Sequence, residues 1–303
     1  MNVIYPDISH HETVKDWDSV KKNAPFIIMK ATQGTDFIDP TLKSVIKNCE
    51  YKGIPYWLYS YLERGNELEQ TKFLVRTCRD LIGDYFVGYA LDAEVNNIQS
   101  GVSDSLACLK KVSRKNMLYT MYSQYSSLKK AIKERGNDVA WWEARYGFDD
   151  GKYYRVFAPH KDVDLHQYTT RGKVQGIVGE TDMNRLTGSL PESWFATPTY
   201  DILSKDVKGP GVSDPKFPPR GYFKYRDGMI TLLNYQDEIK KVQKIVNFVL
   251  YSDKGVNELV ADGEYGKKTK AAVTEVQKKL GVAADGKFGP KTLTAYHNFV
   301  IFS

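Results

Sequence analysis

The sequence predicts an α/β chain: an incomplete TIM-like (β/α)5(β)3 barrel followed by a small all-α three-helix domain. Three observations carry that expectation. Short runs rich in Ile, Val, Tyr and Phe alternate with amphipathic stretches up to Gly136, three further runs then follow without clear helices between them, and a nine-residue segment near the C-terminus is echoed by a similar one. At 303 residues, the chain suits one domain of barrel size and one smaller domain.

The strand candidates are Val3 to Tyr5, Phe26 to Ala31, Tyr56 to Leu62, Tyr85 to Glu94 and Met117 to Tyr122. Helical spacing lies between them. Leu42, Val45, Ile46 and Cys49 precede Gly53, Leu74, Cys78 and Leu81 precede Gly83, and Leu128 and Ile132 precede Gly136, each glycine being a candidate C-terminal cap. Val139 to Tyr146, Asp164 to Thr169 and Thr181 to Leu186 supply the last three strands. Barrel chemistry sits at the C-terminal strand ends. Asp7, Asp92, Glu94 and Asp182 all fall at or near such ends, so the expectation is that they converge on one mouth.

From Pro191 to about Asn234 the periodicity fades and Pro, Gly and Asp accumulate, which marks a linker over 191–234 between a barrel over 1–190 and a small domain over 235–303. In that domain Ala261-Asp262-Gly263-Glu264-Tyr265-Gly266-Lys267-Lys268-Thr269 is echoed 23 residues later by Ala284-Asp285-Gly286-Lys287-Phe288-Gly289-Pro290-Lys291-Thr292. Each copy is a turn ahead of a helical pattern, and a helix marked by Ile239, Val242, Val246 and Val249 precedes both.

Composition narrows the partners. Residues 1–198 carry a net charge of +1 and residues 199–303 a net +5, which favours a polyanionic partner for the C-terminal third, either nucleic acid or an anionic cell-wall polymer. No nucleic-acid recognition motif accompanies the charge. Cys49, Cys78 and Cys108 are an odd number without metal-ligand spacing and read as buried thiols; His10, His11, His160, His166 and His297 are scattered. Neither a metal nor a cofactor is expected. The chain lacks a long apolar run, so no membrane span is expected. The N-terminus shows no basic segment followed by an apolar one, so the expectation is synthesis in the cytoplasm without a signal peptide.

Asp92-Ala93-Glu94 closes the apolar run from Tyr85. Strand alternation points residues two apart into one space, so each carboxylate perturbs the other and the pair divides into a proton holder and an ionised partner. Glycosidic bond cleavage needs that division.

Taken in order, the motifs resemble the family 25 glycoside hydrolases, the N-acetylmuramidases that cut bacterial peptidoglycan. The resemblance covers about residues 3 to 188. It runs through Tyr5-Pro6-Asp7-Ile8-Ser9, Met29-Lys30-Ala31-Thr32-Gln33-Gly34, Gly53-Ile54-Pro55 with Tyr59-Ser60-Tyr61, Leu91-Asp92-Ala93-Glu94, Trp142-Glu143-Ala144-Arg145-Tyr146, and His166-Gln167-Tyr168-Thr169 with Asp182-Met183-Asn184-Arg185. Gln33 stands where many members carry Glu, Ser60 where His is common and His166 where Trp is common. The C-terminal repeat resembles a peptidoglycan-binding-like three-helix domain.

The resemblance implies hydrolysis of the β-1,4 bond between N-acetylmuramic acid and N-acetylglucosamine by a wall-lytic enzyme, a phage endolysin or a bacterial autolysin. It makes Glu94 the general acid and Asp92 the partner carboxylate, orienting the N-acetyl group or activating water, with Asp7 and Asp182 supporting them. Tyr59, Tyr61, Tyr119, Trp142, Gln167 and Tyr168 are the candidate substrate contacts, the aromatics because they lie near strand ends where rings can stack on sugars. The competing reading, a non-catalytic wall-binding protein on a decayed barrel, would be marked by loss of a central acid. Both acids are present.

Overall fold

The structure, a computed structural model, describes residues 4–79, 81–95, 99–199, 215–216, 222–224, 235–251 and 259–302. The chain divides into two compact units, Met1–Ser204 and Lys205–Ser303.

The first unit runs β1 (Tyr5–Ile8), β2 (Thr13–Val14), α1 (Trp17–Asn23), β3 (Ile27–Gln33), β4 (Phe37–Ile38), α2 (Leu42–Lys52), β5 (Tyr56–Tyr61), α3 (Glu67–Cys78), β6 (Phe86–Asp92), α4 (Gln99–Val112), β7 (Asn116–Met121), α5 (Tyr125–Glu134), β8 (Val139–Ala144), β9 (Leu165–Gly172), β10 (Ile177–Val178), β11 (Thr181–Leu186) and α6 (Glu192–Ala196). Strands β1, β3, β5, β6, β7, β8 and β9 pair in parallel in that order, and β11 closes the ring antiparallel to both β9 and β1. This is the expected (β/α)5(β)3 barrel. Two-residue β4 extends β3 as a hairpin, and β2 pairs with β10 apart from the barrel.

Boundaries differ where tertiary pairing overrides local signals. Pro6 and Asp7 read as the end of a strand, yet β1 continues through them because β3 and β11 flank it on both sides. Helix α3 ends at Cys78, before Leu81 and Gly83, whereas Gly53, at φ 68°, caps α2 by donating its N–H to the Cys49 and Glu50 carbonyls. Gly88, inside β6, has a packing role: a Cβ there would stand 2.1 Å from the Lys115 carbonyl oxygen and 2.6 Å from the Trp57 ring. Asp182 lies near the start of its strand, since β11 is reversed, and so reaches the mouth formed by the other strands' C-terminal ends.

The opposite end of the barrel is plugged. Helix α6 lies within the stretch expected as linker, and its fully buried Phe195 stacks on Phe26 at 5.6 Å, while the Trp57 indole N–H donates to the Phe195 carbonyl at 2.8 Å. The Lys115 ammonium donates to the Trp194 and Thr197 carbonyls, and the Tyr5 hydroxyl to Glu192. The two lysine bonds satisfy carbonyls at the C-terminal end of a helix too short to be stable alone, and the tyrosine bond anchors its first residue.

The second unit contains α7 (Gln236–Tyr251), α8 (Lys267–Lys279) and α9 (Pro290–Phe302), around a core of Val242, Val246, Val273, Val276, Tyr265 and Phe288. Phe223, also inside the expected linker stretch, joins this core through a two-way backbone pairing with Phe288. The sequence repeat is a repeat of hydrogen bonds. Gln243 Nε2 donates to Asp262, the Glu264 carbonyl and Thr269 while its Oε1 accepts from the Gly263 N–H; Gln277 does the same with Asp285, Lys287, Thr292 and Gly286. Each Asp-Gly turn is thus locked by a glutamine on the preceding helix.

Candidate active site

The mouth of the barrel gathers acids. Asp7 (β1) and Asp182 (β11) are register partners, and Asp92 ends β6 with Glu94 two residues beyond. Asp7 and Asp92 are buried, Glu94 and Asp182 partly so. Loss of solvent raises all four carboxyls above their ordinary range. For Asp92 the Glu94 charge adds to that rise, while for Asp7 the charge of Asp182 does; Asp182 itself reaches about 7, with Glu12 and Asp149 adding to burial. Lys30, on β3, pulls Asp92 and Glu94 the other way, and the Tyr61 hydroxyl favours ionised Glu94. The nearby Glu94 charge makes it costly for Asp92 to be ionised at the same time.

One Oδ1 of Asp7 and one of Asp92 are buried with no hydrogen-bond partner. Such orphaned acceptors are costly unless a proton or a ligand meets them. Gln167 (β9) reaches both flanking acids, its Nε2 lying 3.2 Å from Asp7 and 3.2 Å from Asp182. Its Oε1 accepts from the hydroxyls of Tyr119 at 2.8 Å and Tyr146 at 2.7 Å.

Tyr59, paired with Lys30 across β3 and β5, and Tyr61 complete the wall, Tyr61 with its hydroxyl pushed up to about 12 by burial and the Glu94 charge. Two expected contacts are not brought to this surface. Trp142 is 1% exposed, edge-on to Tyr119 at 4.5 Å, with its indole N–H given to Asn184 at 2.7 Å, so it forms the floor under the acids. Tyr168 follows Gln167 on β9 and so points out of the barrel, where it meets Tyr153 and His166 edge-on. His166 is buried there and held neutral, its pKa lowered to about 4 by burial. Two participants escaped the sequence reading, Lys30 and Tyr146. A lysine between the apolar run Ile27-Ile28-Met29 and Ala31 was the available signal for the first. Among the described residues no group of three His, Cys, Asp or Glu side chains is arranged to hold a metal ion, and no helix is long and apolar enough to cross a membrane.

Residues 6–177 match the model of the glycosyl hydrolases family 25, more than half the chain. The chain belongs to family 25. Residues 235–295 of this family 25 protein match a peptidoglycan binding domain model. It is similar to an autolytic lysozyme of Clostridium acetobutylicum, 24% identical over 293 residues that cover 94% of this chain and 76% of the relative. Among solved structures, it resembles the catalytic domain of an endolysin from a bacteriophage of Listeria monocytogenes, with TM-score 0.53 and 27% identity over 68% of this chain and 97% of that one. A bacterial lysozyme from Streptomyces coelicolor shares the fold, with TM-score 0.52 and 21% identity over 66% and 99% of the two chains. This family 25 member is accordingly a glycoside hydrolase of the lysozyme and endolysin type, directed at the cell wall.

Proposed function

We propose that the chain hydrolyses the β-1,4 bond between N-acetylmuramic acid and N-acetylglucosamine, with Glu94 as general acid. The observation that carries this reading is the Asp92–Glu94 pair at the end of β6, sharing a mouth with Asp7 and Asp182 under conditions that raise every carboxyl. An alkoxide is a poor leaving group, so a positioned proton donor accelerates departure by about 10²- to 10⁴-fold. Glu94 is the more exposed of the pair and has access to a glycosidic oxygen; Asp92, deeper, supplies the carboxylate that assists attack at the anomeric carbon. Asp7 and Asp182 hold the local charge, and Tyr59 and Tyr61 line the path of the sugars.

The C-terminal unit tethers the barrel to the wall, which raises the effective concentration of enzyme at an insoluble polymer. The net +5 charge of residues 199–303 adds attraction to anionic wall polymers. The role is that of an endolysin or autolysin acting on peptidoglycan glycan strands. Digestion of purified peptidoglycan tests it: reducing sugar ends should appear, mass analysis should find N-acetylmuramic acid at them, and Glu94→Gln should abolish release while circular dichroism stays unchanged. Release of free amino groups without reducing ends overturns the reading.

A further inference from the structure

Gln167 was expected to contact substrate, but its surroundings give it another task. It is 1% exposed, and all four hydrogen-bonding capacities of its amide are used inside the protein: two hydroxyls on Oε1, two carboxylates on Nε2. We propose that Gln167 is a positioning residue that holds Asp7 and Asp182 together as one proton-sharing pair and ties that pair to the tyrosines beside Glu94.

Strand register sets the problem this solves. Asp7 and Asp182 stand directly opposite each other across β1 and β11, where like charges repel. One amide nitrogen between them offers a hydrogen to each. The amide cannot turn over, because Oε1 would then face two carboxylates while the hydroxyls of Tyr119 and Tyr146, 3.0 Å apart, lost their common acceptor. The unpartnered Oδ1 of buried Asp7 leaves a place for the single proton the pair keeps.

Other groups face the pair from each neighbouring element. Asp92 and Glu94 come from the end of β6, Glu12 from the loop after β1, Asp149 from the loop after β8, Tyr59 from β5 and Tyr146 from beyond β8, while Lys30 on β3 acts on Asp92 and Glu94. All the acids push the pair toward keeping its proton. Gln167 opposes them, since hydrogen bonds to an ionised carboxylate favour that form. Without the amide, the pair should release its proton only at higher pH.

The test follows the aspartates in the full chain by carbon NMR with labelled carboxyls, the Asp182 signal being identified by its loss in Asp182→Asn. In Gln167→Met the Asp182 transition should move up by about one pH unit, and on peptidoglycan kcat should fall tenfold or more with KM nearly unchanged, about the scale of one misplaced group. An unmoved Asp182 transition in folded Gln167→Met, or a raised KM with kcat intact, overturns the proposal. Should Gln167→Met not fold, Tyr146→Phe decides: removing one hydroxyl from Oε1 should shift Asp182 in the same direction by less, and no shift overturns it. The kinetic arm rests on the muramidase reading. The NMR arm does not, so an inactive wild-type protein would sink that reading while leaving this one to stand or fall by itself.

Discussion

The Lys30 ammonium donates to Gln33 Oε1 at 2.7 Å, although three residues along a regular strand would point the two side chains to opposite faces. A bulge makes the meeting possible. Pairing with β5 slips between Lys30 and Thr32, so Lys30 opposes Tyr59 and Gln33 opposes Tyr61, both on the inner face. Gln33 passes the contact on by donating to Glu63, and Lys30 lies 5.1 Å over the Tyr61 ring. The cation is thereby fixed beside Asp92 and Glu94.

Lys30→Met should therefore raise the pKa of the Asp92–Glu94 pair, because Lys30 lowers both. The acid limb of the pH–rate profile, set by the carboxylate that must be ionised, moves to higher pH, and activity at pH 6 falls by about tenfold. A profile that drops uniformly without moving would contradict this.

Asp182→Asn should stabilise the barrel at neutral pH. The folded pKa is raised to about 7, so the group's contribution is fully present below the unfolded value and is lost as pH rises through 7. Removing the charge recovers at most about 4 kcal/mol at pH 8 and almost nothing at pH 4. Thermal melts of both proteins at the two pH values would show the difference, and an equal gain at pH 4 would refute its electrostatic origin.

Phe195→Ala should destabilise the first unit by about 3–5 kcal/mol, the usual cost of emptying a buried phenylalanine site. Phe195 fills the barrel end against Phe26 and Trp57. Calorimetry of the full chain should show the larger transition shifted while that of the second unit stays in place.

Gln243→Ala and Gln277→Ala should each cost the second unit about 2–3 kcal/mol by stranding a glycine N–H and the polar groups of its turn. Their equivalent bonding predicts similar losses. A large loss from one and none from the other, in the same calorimetric trace, would break the equivalence.

Much of this architecture can be read from the residues, and what cannot has identifiable causes. The eight barrel strands announce themselves through Ile, Val and Tyr, whereas β2, β4 and β10 have two residues each and leave no pattern. The four acids converge as their strand positions imply. Alternation already forbids Gln167 and Tyr168 from sharing the mouth, being consecutive on β9. The depth of Trp142 is different, since which inward residue forms the floor depends on the stagger of neighbouring strands. The bulge that turns Gln33 inward breaks alternation itself, so a periodic reading necessarily missed it.

The reversal of β11 also fixes an exit. The strand begins beside the acids at Asp182 and descends to Leu186, after which α6 and the Thr199 N–H, bonded to the Phe86 carbonyl, keep the chain at the far pole. The segment that closes this pole therefore takes no part in shaping the opening at the acids.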